Sequence, residues 1–144
     1  MASGGKLGQI QIRRTGGQHG TGEIGRRMAP VSGFILSSKR EPGLYIAGDS
    51  IWCEEVNQAI SENDPEVIIV NTGAAQFLEG GPITMTAPDV AQVCESAPES
   101  KVIAVHMEAI NHCLLNRADL QNYLNRRELS DKVEIPDDGQ AISI

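Results

Sequence analysis

Two short apolar runs constrain the fold of this chain more than any other feature. Residues 67–70 read Val-Ile-Ile-Val and residues 102–105 read Val-Ile-Ala-Val, without polar residues between them. Such runs are typical of strands that are covered on both faces, as in the parallel sheets of α/β proteins. Aromatic residues make up only 3% of the chain, so aliphatic side chains must fill the core. We expect 144 residues to form one α/β domain, spanning positions 1–144.

A third apolar run, residues 44–47, stops at Gly48-Asp49 and is followed by a helical pattern. Glycine takes backbone angles that other residues resist, so a sharp turn is expected at Gly48. Asp49 would then lie at the carboxyl end of a strand, where open α/β sheets place ligand chemistry. Aspartate is also a good N-cap for the helix that follows. Position alone favours capping, and a functional role depends on the residues that the fold brings near Asp49.

The rest of the pattern predicts strands followed by alternating helices and strands. The Glu-Pro-Gly turn at residues 41–43 predicts that the strands on either side form an antiparallel hairpin. Proline at position 65 ends the helix that follows Asp49. Residues 86–89 (Thr-Ala-Pro-Asp) have the spacing of a capping box, with Asp in place of Glu or Gln, and predict the start of the next helix. Strands are expected near residues 9–15, 31–37, 44–47, 67–70, 102–105, 133–135 and 141–144, and helices at about 52–63, at about 86–95 and from residue 116.

Charge is unevenly distributed along the chain. The net charge of −7 disfavours nucleic acid as the main partner. Residues 1–40 hold seven basic residues and one acidic residue, whereas the remaining 104 hold five basic and eighteen acidic residues. The basic segment could mark an anion site or the contact face of an acidic partner. It is also typical of a solvated strand edge, which we favour.

Cysteine content and hydropathy bear on the location of the protein. Cys53, Cys94 and Cys113 are widely spaced and form no Cys-x-x-Cys pair, so we expect three reduced thiols in or near the core. No apolar run approaches the length that crosses a bilayer, and the first residues lack the hydrophobic segment of a secretory signal. We therefore expect a cytoplasmic protein with no membrane partner.

Three residues that carry metal-ligand chemistry follow predicted strands. His19 lies in a loop with four glycines after the first strand, Asp49 follows the third apolar run, and His106 follows residues 102–105. Two imidazoles and a carboxylate suit Zn²⁺, Mn²⁺ or Fe²⁺. His106 alone is more often a hydrogen-bonded core histidine. His112 could line the same cleft or lie on the surface, and the surface is slightly favoured.

Three sequence motifs resemble a known family. Residues 15–20 (Thr-Gly-Gly-Gln-His-Gly), 45–50 (Tyr-Ile-Ala-Gly-Asp-Ser) and 102–107 (Val-Ile-Ala-Val-His-Met) are similar to the later metal-binding motifs of the metallo-β-lactamase superfamily. Within it, the chain resembles metal-dependent hydrolases akin to ascorbate-phosphate lactonase. The resemblance implies half of a four-layer αββα sandwich, a mixed sheet with helices on one face.

The resemblance also implies roles for individual residues. His19 would bind one metal ion, His106 the other, and Asp49 would bridge them. Asp49 and His112 are the candidate catalytic residues. Zinc or manganese would supply a bound hydroxide that attacks a phosphorylated or lactone or ester metabolite.

The family's first motif, His-x-His-x-Asp-His, is absent from this sequence, which has three histidines in all. The chain therefore resembles the carboxyl-terminal half of such a hydrolase, with weak or no metal binding and no activity of its own. Half of a two-sheet sandwich would expose an apolar sheet face. We expect a homodimer or higher assembly, or a separate amino-terminal half, to cover it, with a small anionic metabolite as substrate of the complete enzyme.

Two other functions are consistent with the same residues. The chain could be a non-catalytic oligomerising or interaction module derived from this fold, in which His19, Asp49 and His106 bind no metal. It could alternatively hold a mononuclear iron site with two histidines and one carboxylate. Metal content and oxygen-dependent turnover distinguish these alternatives.

Overall fold

The computed structural model describes residues 4–28 and 30–144. Within these residues a mixed sheet has its strands in chain order, antiparallel from β1 to β4 and parallel from β4 to β7. The strands are β1 (Gly4–Leu7), β2 (Ile10–Thr15), β3 (Gly33–Ser37), β4 (Leu44–Ile46), β5 (Val67–Asn71), β6 (Lys101–Val105) and β7 (Val133–Glu134). The helices are α1 (Gly22–Met28), α2 (Glu54–Asn63), α3 (Ala87–Ser96) and α4 (Arg117–Arg126).

The predicted α/β architecture is confirmed, including the antiparallel hairpin of β3 and β4 and the end of α2 before Pro65. The strand predicted at residues 141–144 is wrong. Pro136 follows β7 and has no N–H with which to extend a ladder, and Gly139 turns the chain with a φ of 78°. The terminal Ile144 lies instead beside Ile10, Leu36 and Leu44, across the sheet.

Two elements were not predicted, α1 and β1. Both are rich in glycine, which weakens the local signal for helix and for strand. A Cβ at Gly25 in α1 would lie 2.5 Å from the carbonyl oxygen of Gly20. Glycine at position 25 is therefore required by the close approach of the preceding loop.

Helices α2, α3 and α4 pack against one face of the sheet. A row of directly paired residues crosses five strands on that face, namely Ile35, Tyr45, Ile68, Val102 and Val133, and all five are buried. Helical crossovers between parallel strands are right-handed, which places consecutive helices on the same face. The helices add Val56, Ala59 and Ile60 from α2, Val90, Val93 and Cys94 from α3, and Leu120 and Leu124 from α4.

The opposite face of the sheet is also apolar but is less covered. Phe34, Ile46, Ile69 and Ile103 are paired in a second row on this face. Ile103 is buried, whereas Phe34 is 39% exposed at the antiparallel side of the sheet. Exposed apolar area of this kind marks a surface that another protein segment can cover. No helix in the described residues is long and apolar enough to span a membrane.

The capping box predicted at the start of α3 is confirmed. The Thr86 hydroxyl accepts from the Asp89 N–H, and the Asp89 carboxylate accepts from the Thr86 N–H. We expect Thr86→Ala to lower the free energy of unfolding by about 1 kcal/mol in urea denaturation, because the Asp89 N–H loses the hydroxyl to which it donates. Ser96→Ala, at the other end of α3, is the control and should change it by less than about 0.5 kcal/mol. Equal effects of the two variants would contradict the role of the capping box.

Candidate metal centre

The carboxyl ends of three adjacent parallel strands form one rim of the sheet. Asp49 comes three residues after β4, Asn71 is the last residue of β5, and His106 directly follows β6. His19 reaches the same rim from the loop between β2 and α1. Residues that are 87 positions apart in the sequence therefore meet in the fold, as the strand order requires.

Asp49 does not cap a helix. Helix α2 begins at Glu54 with Cys53 as its N-cap, so the capping role favoured by position alone is wrong. The sharp turn predicted at Gly48 is present, with a φ of 73°. The Asp49 carboxylate is oriented by Asn71, whose Nδ2 donates a hydrogen bond to Oδ1 at 2.7 Å.

The glycine-rich loop brings His19 to the rim by close backbone contact. A Cβ at Gly17 would lie 2.9 Å from the Ser50 hydroxyl oxygen, so this position has no room for a side chain. The Gln18 N–H donates to the Ser50 hydroxyl at 3.0 Å, and the Ile51 N–H donates to the Gln18 carbonyl at 2.8 Å. The loop is thus attached to the segment that carries Asp49.

The two imidazoles approach different oxygens of the same carboxylate. Nε2 of His19 lies 3.9 Å from Asp49 Oδ2, and Nε2 of His106 lies 3.9 Å from Asp49 Oδ1. Nδ1 of His19 is 2.6 Å from the carbonyl oxygen of Ile83. Only a donor can bond to that oxygen, so Nδ1 carries a proton, and Nε2 is the ring nitrogen that faces Asp49.

His106 is oriented differently from His19. Its φ of 67° lies in the left-handed region, which is unusual for a residue with a side chain. Its Nδ1 is buried and has no hydrogen-bond partner in the described part of the chain. The sequence-based alternative of a hydrogen-bonded core histidine is therefore not what the structure shows.

This donor set fits a divalent metal ion. A separation of 3.9 Å is too long for a direct hydrogen bond, but two metal–ligand bonds of about 2.0–2.2 Å can span it. Among residues 4–28 and 30–144, no group of three or more His, Cys, Asp or Glu side chains closes on one ion. The Asp49 carboxylate thus lies between two candidate positions for an ion, one beside the imidazole of His19 and one beside that of His106.

His112 lies in the loop after His106, and its ring stacks on Phe77 with centroids 5.5 Å apart. Phe77 belongs to the loop after β5, and the Gln76 N–H donates to the His112 carbonyl at 2.9 Å. The structure places His112 on this pair of loops, and its catalytic role remains a prediction. Leu78 and Leu114 in the same loops are strongly exposed.

Cys113 is a neighbour of the centre that the sequence did not single out. Its Sγ lies 3.8 Å from the carbonyl oxygen of His106, and a Cβ at Gly73 would lie 3.1 Å from the same sulfur. Burial raises the pKa of the Cys113 thiol, and the negative charge of Asp49 acts in the same direction. The thiol is therefore neutral near pH 7. Its position directly after His112 was the one available signal.

Three basic residues of the first forty positions, Lys6, Lys39 and Arg40, lie away from this rim. Lys6, Lys39 and Arg40 line a shallow depression together with Gln11. Because β3 runs antiparallel to β4, the segment after β3 lies at the opposite end of the sheet from Asp49. This placement agrees with the solvated edge that we favoured from the sequence.

Comparison with known proteins bears on the fold. No family model matches the chain. It is 38% identical over 133 residues to the UPF0173 protein YddR of Bacillus subtilis, covering 92% of this chain and 52% of YddR. The structure of a possible metal-dependent hydrolase from Veillonella parvula superposes with a TM-score of 0.93 at 34% identity, covering 98% of this chain and 56% of that one. The fold is that of metal-dependent hydrolases.

A second structure of this metal-dependent hydrolase fold is similarly close. Isothiocyanate hydrolase from Delia radicum gut bacteria superposes with a TM-score of 0.91 at 32% identity, covering 97% of this chain and 57% of that protein. The chain thus spans about half the length of the relatives it matches.

Proposed function

We propose that this chain carries part of the active centre of a metal-dependent hydrolase. The strongest support is that the two imidazoles face different oxygens of one carboxylate. Nε2 of His19 lies 3.9 Å from Asp49 Oδ2, and Nε2 of His106 lies 3.9 Å from Asp49 Oδ1. His19 and His106 would each bind one divalent ion, zinc or manganese, and Asp49 would bridge the two. Such ions polarise a substrate oxygen and lower the pKa of coordinated water to near neutrality.

The residues of this chain have distinct roles in that proposal. Asn71 fixes the Asp49 carboxylate by its hydrogen bond, and Ile83 fixes the tautomer of His19. A hydrogen bond from the second imidazole nitrogen is the usual way in which proteins orient a ligating histidine. His112 is proposed to contact the substrate or a transferred proton, from the loop that follows His106.

The remaining ligands are proposed to come from another polypeptide segment. Among the residues that the structure describes, each imidazole has only Asp49 as a neighbouring ligand, whereas a catalytic zinc site has about three protein ligands per ion. A second copy of this chain or a separate segment with the motif His-x-His-x-Asp-His would supply them. The partly exposed apolar sheet face with Phe34 and Ile10 is the proposed contact surface. Without that segment we expect weak metal binding and no turnover.

Two substrate classes are candidates. The sequence resemblance favours a phosphorylated or lactone or ester metabolite, as in ascorbate-phosphate lactonase. An isothiocyanate is the alternative, since one similar structure is an isothiocyanate hydrolase. Two observations favour the isothiocyanate, which is the less polar of these substrates. Exposed apolar side chains lie in the loops that follow the rim, namely Phe77, Leu78 and Leu114. The basic residues Lys39 and Arg40 lie away from the rim.

Metal titration tests the proposed centre. We expect Zn²⁺, followed by NMR of the histidine side chains at pH 7, to perturb His19 and His106, and Asp49→Ala to weaken the binding more than tenfold. His112→Asn is the matched control and should leave Zn²⁺ affinity unchanged, because His112 stacks on Phe77 and is not proposed as a ligand. Adding a chain that bears the missing motif should raise the affinity and produce turnover of benzyl isothiocyanate or a phosphorylated lactone.

Other outcomes support the alternative functions. If Zn²⁺ and Mn²⁺ perturb neither histidine, and assembly measured by sedimentation is the same for Asp49→Ala, the chain is a non-catalytic interaction module. If the purified protein holds one iron per chain and shows oxygen-dependent turnover, the mononuclear iron site is correct. Either result overturns the hydrolase proposal.

A further inference from the structure

Arg117, the first residue of α4, connects three separate parts of the chain. Its guanidinium forms ion pairs with the carboxylates of Glu108 and Asp138, and its Nε donates to the carbonyl oxygen of Pro136 at 3.0 Å. Its backbone N–H donates to Glu108 Oε1, also at 3.0 Å. The side chain is only 22% exposed, which is low for an arginine at the protein surface.

The first residue of α4 is an unfavourable place for a positive charge if the helix is considered by itself. The amino-terminal end of a helix carries partial positive charge, which repels cations and attracts carboxylates. Glu108 compensates for this, because one of its oxygens binds the first helical N–H and the other binds the guanidinium. The arginine fork thus joins the loop after His106 to α4 and to the turn after β7.

The loop that Arg117 holds has a strained backbone. His106 has a φ of 67° and Glu108 a φ of 64°, and each such angle costs about 1–3 kcal/mol in a residue other than glycine. These angles persist only where surrounding contacts hold them. Glu108 is two residues from His106, so its attachment to Arg117 restrains the backbone at the candidate ligand.

The orientation of the His106 ring depends on the backbone more than that of the His19 ring does. The ring of His19 is oriented by Ile83 through Nδ1, whereas Nδ1 of His106 is buried without a partner in the described residues. The direction of the His106 ring therefore follows from its own φ and from the loop.

We propose that Arg117 is a positioning residue, which holds His106 in its ligand orientation through Glu108 and the turn at Pro136 and Asp138. This inference rests on the proposed metal centre and adds to it a restraint outside the ligand set. Residues that orient metal ligands typically contribute 10–100-fold to metal affinity.

Arg117→Met tests the restraint, with Arg127→Met as the matched control. Arg127 lies at the other end of the same helix and also pairs with a carboxylate, that of Glu95, at 2.8 Å. In metal-free protein, we expect Arg117→Met to lower the {¹H}-¹⁵N heteronuclear NOE of residues 106–110 and to leave those of α3 unchanged. It should also weaken Zn²⁺ affinity about tenfold. Arg127→Met should do neither.

A double-mutant cycle and a second variant keep the test decisive. Glu108→Gln should reproduce the loss, and combining it with Arg117→Met should add little, because both remove the same contact. If Arg117→Met does not fold, Glu108→Gln alone is compared with Arg127→Met. The inference is overturned if residues 106–110 stay as ordered as in the parent protein. If the parent binds no Zn²⁺, the metal proposal fails, while the metal-free NOE measurement still decides whether Arg117 restrains the loop.

Discussion

The Gly48→Ala variant is expected to lose about 3 kcal/mol or more of its free energy of unfolding. Two effects add at this position. A residue with a Cβ resists the φ of 73°, and that Cβ would lie 2.7 Å from the carbonyl oxygen of Ser32, a backbone atom that cannot rotate away. Because Asp49 is the next residue, the same change should displace the carboxylate from His19 and His106.

Gly139→Ala is the matched control for Gly48→Ala. Its φ of 78° is nearly the same, but no atom lies within 4 Å of the position that its Cβ would occupy. It should therefore show only the conformational cost, about 1 kcal/mol. Urea denaturation of both variants measures the difference, which reports the contact with Ser32. Equal losses would mean that the strand end at Ser32 moves to make room, and the turn would then not fix Asp49.

Alkaline pH is expected to destabilise the protein through Tyr45. Burial raises the pKa of Tyr45 from 10.0 to about 12, although the nearby Thr15 hydroxyl acts in the opposite direction. Because the folded state holds this proton more tightly, the stabilisation is complete below pH 10 and is lost as the pH rises towards 12. Each pH unit in this window should cost about 1.4 kcal/mol, or about 3 kcal/mol in total.

Tyr45→Phe isolates this effect. The Tyr45 hydroxyl oxygen is buried without a hydrogen-bond partner in the described residues, so its removal should cost little at pH 7. Urea denaturation from pH 7 to 11.5 should show a steeper fall for the parent than for Tyr45→Phe above pH 10. Other groups that ionise there, such as Cys94 with its pKa raised to about 11, affect both proteins alike. Parallel curves would contradict the assignment to Tyr45.

Patterns that are local in the sequence predicted much of the fold. The unbroken apolar runs of β5 and β6, the Pro65 stop and the Thr86 capping box each record a short-range physical preference. The unpredicted α1 shows the limit of this reasoning. Its two glycines are unfavourable in an isolated helix, and the need for glycine at position 25 is explained by the close approach of Gly20.

The candidate centre was only partly predictable for the same reason. Strand ends indicated that Asp49 and His106 share a rim, since parallel strands align their carboxyl ends. The Ile83 carbonyl that orients His19 lies 64 positions away in the sequence. The His106 loop is attached to Arg117 through Glu108, nine positions earlier, but in a different element of the fold. Neither contact leaves a motif, because any carbonyl can accept from an imidazole and any exposed arginine can find a carboxylate.

The separation of the three donors along the chain links ion capture to folding. His19, Asp49 and His106 are scattered through the unfolded polypeptide and meet only when strands β2 to β6 have paired. A ligand that binds the native state alone adds stability in proportion to the logarithm of its concentration, about 2.7 kcal/mol at a hundred times its dissociation constant. A cation at this rim would therefore make the stability of the folded sheet depend on the ion concentration. The free energy of unfolding would rise when the ion is abundant and fall when it is scarce.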